Sequence, residues 1–145
     1  FRVVAHAGEE GPAAYVRGAL DVLQAERIDH GVRSEEDPAL LRRLVAARTP
    51  LTMCPLSNLK LRVVDDLREH NLARLLRAGL RVTLNSDDPA YFGGYMNANF
   101  IAAADALGLS RDDLVALARN GFLASFVTEA ERRPWLDELE AVAAR

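Results

Sequence analysis

Four short apolar runs punctuate the chain, and each ends on a polar or reactive side chain: Arg2 to His6 (RVVAH), Arg27 to His30 (RIDH), Leu51 to Cys54 (LTMC) and Leu80 to Ser86 (LRVTLNS). Runs of this kind read as strands covered on both faces, the mark of a parallel sheet. Helical patterns fill the gaps. Pro12 opens the first, with Val16, Leu20 and Leu23 on one face. Asp37 before Pro38 forms a cap ahead of Leu40, Leu41, Leu44 and Val45, and a third helix carries Leu72, Leu75 and Leu76 and stops at Gly79. The order strand, helix, strand, helix, strand, helix, strand predicts an α/β fold with parallel pairing.

Beyond the fourth strand the chain turns helical. Asn97 to Leu107 is alanine-rich, and Ser110 with Asp113 forms a capping-box pattern for a helix that Gly121 is expected to close. Thr128 with Glu131 repeats the device, and Pro134 is expected to break or restart the helix before Trp135, Leu139 and Val142. Periodicity leaves two architectures open. Four βα units match half of a (β/α)8 barrel, which takes about 250 residues for eight; a complete doubly wound sheet is the alternative.

Composition narrows the function classes. The 145 residues are 50% hydrophobic, enough for a core in one domain spanning 1–145, and 18 basic against 21 acidic residues give a net charge of -3. That balance offers no basic footprint for nucleic acid, and no apolar run approaches the roughly 20 residues of a membrane span. A single cysteine, Cys54, cannot form an internal disulfide, which suits a reducing cytoplasm. The opening Phe1-Arg2-Val3-Val4-Ala5 already reads as a buried strand without an initiator Met, so the chain is expected to be a piece of a longer protein.

The chemistry gathers at the C-terminal ends of the four strands, where barrels and open α/β sheets both place their sites. His6, Gly8 and Glu9 follow the first, His30 and Gly31 the second, Cys54, Ser57 and Asn58 the third, and Asp87 and Asp88 the fourth. Each has a plainer reading. His6 could be a hydrogen-bonded structural histidine rather than a zinc ligand, Glu9 a carboxylate serving a helix dipole, and His30 a partner for a neighbouring strand end. Asp87-Asp88-Pro89 could be turn chemistry, although adjacent carboxylates repel and favour a bound cation or donor. His70, in DDLREHN, reads as structural within a polar helix start, and Cys54 as a small packing residue. Taken jointly, the strand-top residues form a metal-hydrolase constellation that is short of ligands, since a catalytic zinc takes three from protein.

The segments HAGEE (6–10), RIDHG (27–31), LTMCPLSNLKL (51–61) and VTLNSDDPAYFGGY (82–95) resemble the adenosine/adenine deaminase family of zinc aminohydrolases over nearly the whole chain, and CPLSNLKL and DDPAYFGGY resemble its adenine deaminase branch. The resemblance implies strands five to eight of a (β/α)8 barrel plus C-terminal helices. It implies one zinc, held by His6 and Asp87 and by a His-x-His pair from the first strand of the family barrel, which this sequence lacks. It further implies Glu9 as the acid that protonates purine N1, His30 as the residue orienting the attacking water, and Asp88 and Gly8 as substrate-binding. The implied reaction converts a purine, adenine first, to its 6-oxo product and ammonia; adenosine or another N6-substituted adenine is the alternative. Without the His-x-His pair, the chain alone is expected to be inactive. A reading of another class is a non-catalytic half-barrel that associates, with itself or a partner, through open edges.

Overall fold

The structure, a computed structural model, describes residues 1–145. Its centre is a four-stranded sheet of β1 (Val4–Ala7), β2 (Arg27–His30), β3 (Leu51–Met53) and β4 (Val82–Leu84), all parallel and in the order β1-β2-β3-β4. That order decides between the two architectures. A doubly wound sheet reverses direction at a switch point, whereas here every strand lies beside its successor, as in the wall of a barrel.

The crossovers are α1 (Ala13–Asp21), α2 (Pro38–Ala47), and the pair α3 (Pro55–Lys60) and α4 (Leu72–Arg77); 3-10 turns at Val32–Glu36 and Leu67–Glu69 precede α2 and α4. Then follow α5 (Pro89–Phe92), α6 (Met96–Leu107), α7 (Arg111–Leu123) and α8 (Glu129–Ala143). No helix is long and apolar enough to cross a membrane.

The strands alternate between their two faces. Ile28, Leu51 and Val82, in register across the sheet, are fully buried beneath the helices with Val16, Leu40, Leu44, Leu72, Leu75 and Leu117. The opposite face presents His6, Asp29, Thr52 and Thr83, which are likewise in register. Thr52 Oγ1 donates to Asp29 Oδ1 at 2.7 Å and Arg27 Nε donates to the same oxygen at 3.2 Å. The expectation of strands buried on both faces therefore holds for β4 and is corrected for β1, β2 and β3, whose second face is polar and only partly covered. Nor is β1 buried, since Val3 and Val4 are exposed at the sheet edge.

Three helix expectations also change. Leu23 lies past the end of α1 and is exposed, because the helix stops at Asp21. Gly121 lies inside α7, which continues to Leu123, since Asn120 Nδ2 donates to the Val82 carbonyl and ties this stretch to β4. Pro134 sits within an unbroken α8. The ladder bond it forfeits is offset by packing on α7, where Phe122 meets Trp135 at 5.9 Å between ring centroids and Arg119 pairs with Glu140. The capping boxes at Ser110/Asp113 and Thr128/Glu131 form as expected, as does the Asp37 cap.

Candidate active site

All four strand tops open onto one rim. After β1 the chain turns at Gly8, whose φ of +68° suits glycine and whose Cβ position would lie 2.6 Å from Val16 Cγ2. The turn is pinned to the next loop by Gly31 N–H donating to the Ala7 carbonyl at 3.0 Å and Arg33 N–H donating to the Gly8 carbonyl at 2.7 Å. Glu9 follows and points over the rim. It does not serve a helix start, since α1 begins at Ala13 behind Pro12.

His30 and Asp87 both sit in left-handed backbone, with φ of +70° and +59°. Non-glycine residues adopt this region at a cost and often at functional corners. His30 is buried, with Nε2 3.1 Å from His6 Nδ1 and Nδ1 3.2 Å from Glu9 Oε1. The latter approach is out of line for a hydrogen bond, so Nδ1 stays buried and unpaired. His6 itself is exposed, its Nε2 3.8 Å from Asp29 Oδ2. Asp87 is exposed and its Oδ2 accepts from Ser57 Oγ at 2.7 Å. One ligand atom from each of His30, Cys54 and Asp87 falls within 4.8 Å of the others.

Burial pushes the Glu9 carboxyl above its ordinary range, reinforced by the negative charges of Asp87 and Glu10 and opposed by His6 and the Asn58 hydrogen bond. A glutamic acid whose pKa is raised in this way is better suited to donating a proton than a free carboxylate. Burial lowers the pKa of His30, with His6 adding to the effect and Asp87 and Asp29 opposing it, which favours a neutral imidazole. Burial also pushes the Cys54 thiol up to about 12, and its Sγ donates to the Thr52 carbonyl, so it remains a packed thiol.

The structure brings His6, Glu9, His30 and Asp87 together. It does not bring in Asp88 in the expected way. Asp88 is exposed and caps α5, with Oδ1 accepting from Ala90 N and Tyr91 N at 3.1 Å each, as the plainer turn reading held. Two of the strand-top residues, given no role from the sequence, prove to contribute: Ser57 behind Asp87, and Asn58, whose Nδ2 donates to Glu9 Oε1 at 2.8 Å. Their signal was Cys54-Pro55 after β3: Pro55 at the first position of α3 starts the helix at once and turns Ser57 and Asn58, both fully buried, toward the site. His70 is structural as expected, but it lies between the 3-10 turn and α4 rather than in a helix start.

Against zinc, the donor set fits in kind and falls short in number. His6 offers an imidazole and Asp87 a carboxylate already oriented by Ser57, a second partner of the sort that aligns metal ligands.

The family model described as adenosine deaminase matches residues 1–142, and the chain belongs to that family. The chain is 61% identical over 142 residues to an adenine deaminase of Acinetobacter baylyi, covering 98% of this chain and 43% of the relative. It is 63% identical over 143 residues to an adenine deaminase of Streptomyces coelicolor, covering 97% and 42%. Among solved structures, the adenine deaminase of Arthrobacter aurescens superposes with a TM-score of 0.98 at 50% identity over 100% of this chain and 44% of that one. An amidohydrolase of Burkholderia ambifaria with bound zinc superposes with a TM-score of 0.86 at 26% identity, over 99% and 43%. The chain thus spans less than half the length of the relatives it matches.

Proposed function

We propose that this chain supplies the C-terminal half of the active site of a zinc-dependent adenine deaminase, which converts adenine and water to hypoxanthine and ammonia. The observation that carries the reading is the Glu9 carboxyl at the rim, 3.2 Å from His30 Nδ1 and with its pKa raised by burial and by the charge of Asp87. The roughly 60% identity to relatives named adenine deaminases favours adenine over larger N6-substituted purines. A cytoplasmic enzyme accords with the lone, protonated Cys54.

Zinc held by His6, Asp87 and two further ligands from outside this chain would supply a water acidified toward neutrality. The protein groups do the rest. As a C6–O bond forms, electron density moves to N1, and Glu9 delivers its proton there. Neutral His30, its Nε2 3.1 Å from His6 Nδ1, stands beside the metal-side imidazole, where it would orient the attacking water toward C6. Asp87 accepts a proton from that water, with Ser57 steadying its other oxygen. Asp88 caps α5 through Oδ1 and would meet N7 through a protonated Oδ2, since N7 only accepts, and the tight turn at Gly8 lets the backbone approach the ring. The proton taken up by Asp87 then passes to the amine, the hydroxyl proton at C6 returns to Glu9 as the C6=O bond forms, and the C6–N bond breaks to release ammonia.

In the zinc-loaded protein in which this chain is joined to the other half of its barrel, Glu9→Gln should lower kcat on adenine by at least about a hundredfold, the scale of a lost general acid. Loss of adenine absorbance reports it, with adenosine run alongside. An unchanged rate removes Glu9 from the role, and turnover of adenosine in preference to adenine overturns the substrate.

A further inference from the structure

Behind Glu9 runs a line of hydrogen bonds whose direction can be worked out from its far end. The Leu72 backbone N–H can only donate, and it lies 3.1 Å from His70 Nδ1. Nδ1 is therefore the acceptor nitrogen, and the ring proton sits on Nε2. Nε2 lies 3.0 Å from Asn58 Oδ1, so the imidazole donates there. The same bond fixes the amide: with Oδ1 occupied as acceptor, it is the NH2 of Asn58 that faces Glu9 Oε1, 2.8 Å away. His70 and Asn58 are both fully buried, so neither has water as an alternative partner.

The consequence falls on Glu9. An NH2 group cannot accept a proton, so the Asn58 bond commits Oε1 to the acceptor role, and His30 Nδ1, 3.2 Å away but out of line, gives that oxygen no partner to donate to. Whatever proton the carboxyl carries must sit on Oε2. A carboxylic acid with two equivalent oxygens spends its proton on either; this one is polarised from behind.

From this geometry we infer that Asn58 and His70 are positioning residues for the acid: they orient Glu9 from behind and assign the transferable proton to Oε2, the oxygen free to meet the substrate ring. The inference rests on the proposed role of Glu9. Neither side chain touches the reacting atoms. Their effect reaches the reaction through the carboxyl alone, which separates them from residues that bind the purine.

The zinc-loaded, complete-barrel protein carries the test. Asn58→Ala should lower kcat on adenine about tenfold to a hundredfold, the usual cost of losing an outer orienting partner, while KM moves less than about threefold. His70→Gln keeps an N–H donor within reach of Asn58 and should hold kcat near the parent value, whereas His70→Leu should fall with Asn58→Ala. A purely structural role predicts instead that melting temperature, kcat and KM fall together and that His70→Gln gives no rescue; that result overturns the inference. A second readout needs no turnover. Nitrogen-15 NMR of the His70 ring should show a neutral Nε2–H form whose resonance shifts on Glu9→Gln, two links away, and an unmoved resonance refutes the connection. If the parent protein fails on adenine while this shift is present, the substrate reading has failed and the relay stands.

Discussion

Protonating His70 would put a charge into a fully buried position, and burial chiefly, with help from the Arg74 guanidinium and against Glu35, holds its pKa down to about 4 from 6.5. A histidine whose folded pKa is depressed is proton-poor relative to the unfolded chain. Its contribution to stability is complete above pH 6.5 and drains away as pH falls toward 4. At 1.36 kcal/mol per unit, the loss approaches about 3 kcal/mol. Urea midpoints measured at pH 7 and pH 4.5 should therefore fall further for the parent than for His70→Gln; equal falls would show that the ring titrates normally. A sequence reader can see that His70 is structural, but not whom it serves. Its partner Asn58 is a short polar residue on a six-residue helix, and the link exists only because α3 and the turn before α4 fold against each other.

Elements were legible where a local signal decides them. Asp37-Pro38, Ser110/Asp113 and Thr128/Glu131 carry their capping chemistry in four residues or fewer, and the structure has each helix start there. Strand faces were not legible. RID and LTM are too short to display a period of two, so the buried Ile28 and Leu51 and the polar-face Asp29 and Thr52 merge into one apolar-looking run. Pro134 shows the limit from the other side: its effect is local, but α7 overrules it. Replacing it should recover one ladder bond and relieve a ring clash, worth about 3 kcal/mol in a helix interior, less about 1 kcal/mol of lost stiffening in the unfolded chain. Pro134→Ala should accordingly raise the melting temperature, and a drop would mean that the proline ring is needed to seat Trp135 on Phe122.

At the scale of the whole molecule, the sheet has an unpaired edge at β1 and another at β4, and a polar face that ends at His6 on one side. Residues 1–145 expressed alone should pair these edges with other chains and elute above monomer mass in size-exclusion chromatography with light scattering, and should hold zinc weakly with two ligands in place of four. A well-folded monomer would argue that the edges are shielded by their own twist and side chains. Whether four βα units form an arc of a barrel or an open sheet could not be read from periodicity, because both use the same units. Pairing order separates them, and it is a property of the assembled chain.

That order, β1-β2-β3-β4, makes position along the polypeptide equivalent to compass bearing around the rim. The acid at Glu9, the imidazole at His30, the orienting Ser57 and Asn58 and the carboxylates at Asp87 and Asp88 are met in the same succession by a ribosome and by a walker circling the mouth. Each sector of this half of the rim is then governed by its own short stretch of gene. A loop between two strands can lengthen, shorten or be exchanged while the groups at the other bearings keep their places, so such a scaffold can explore new substrates one sector at a time.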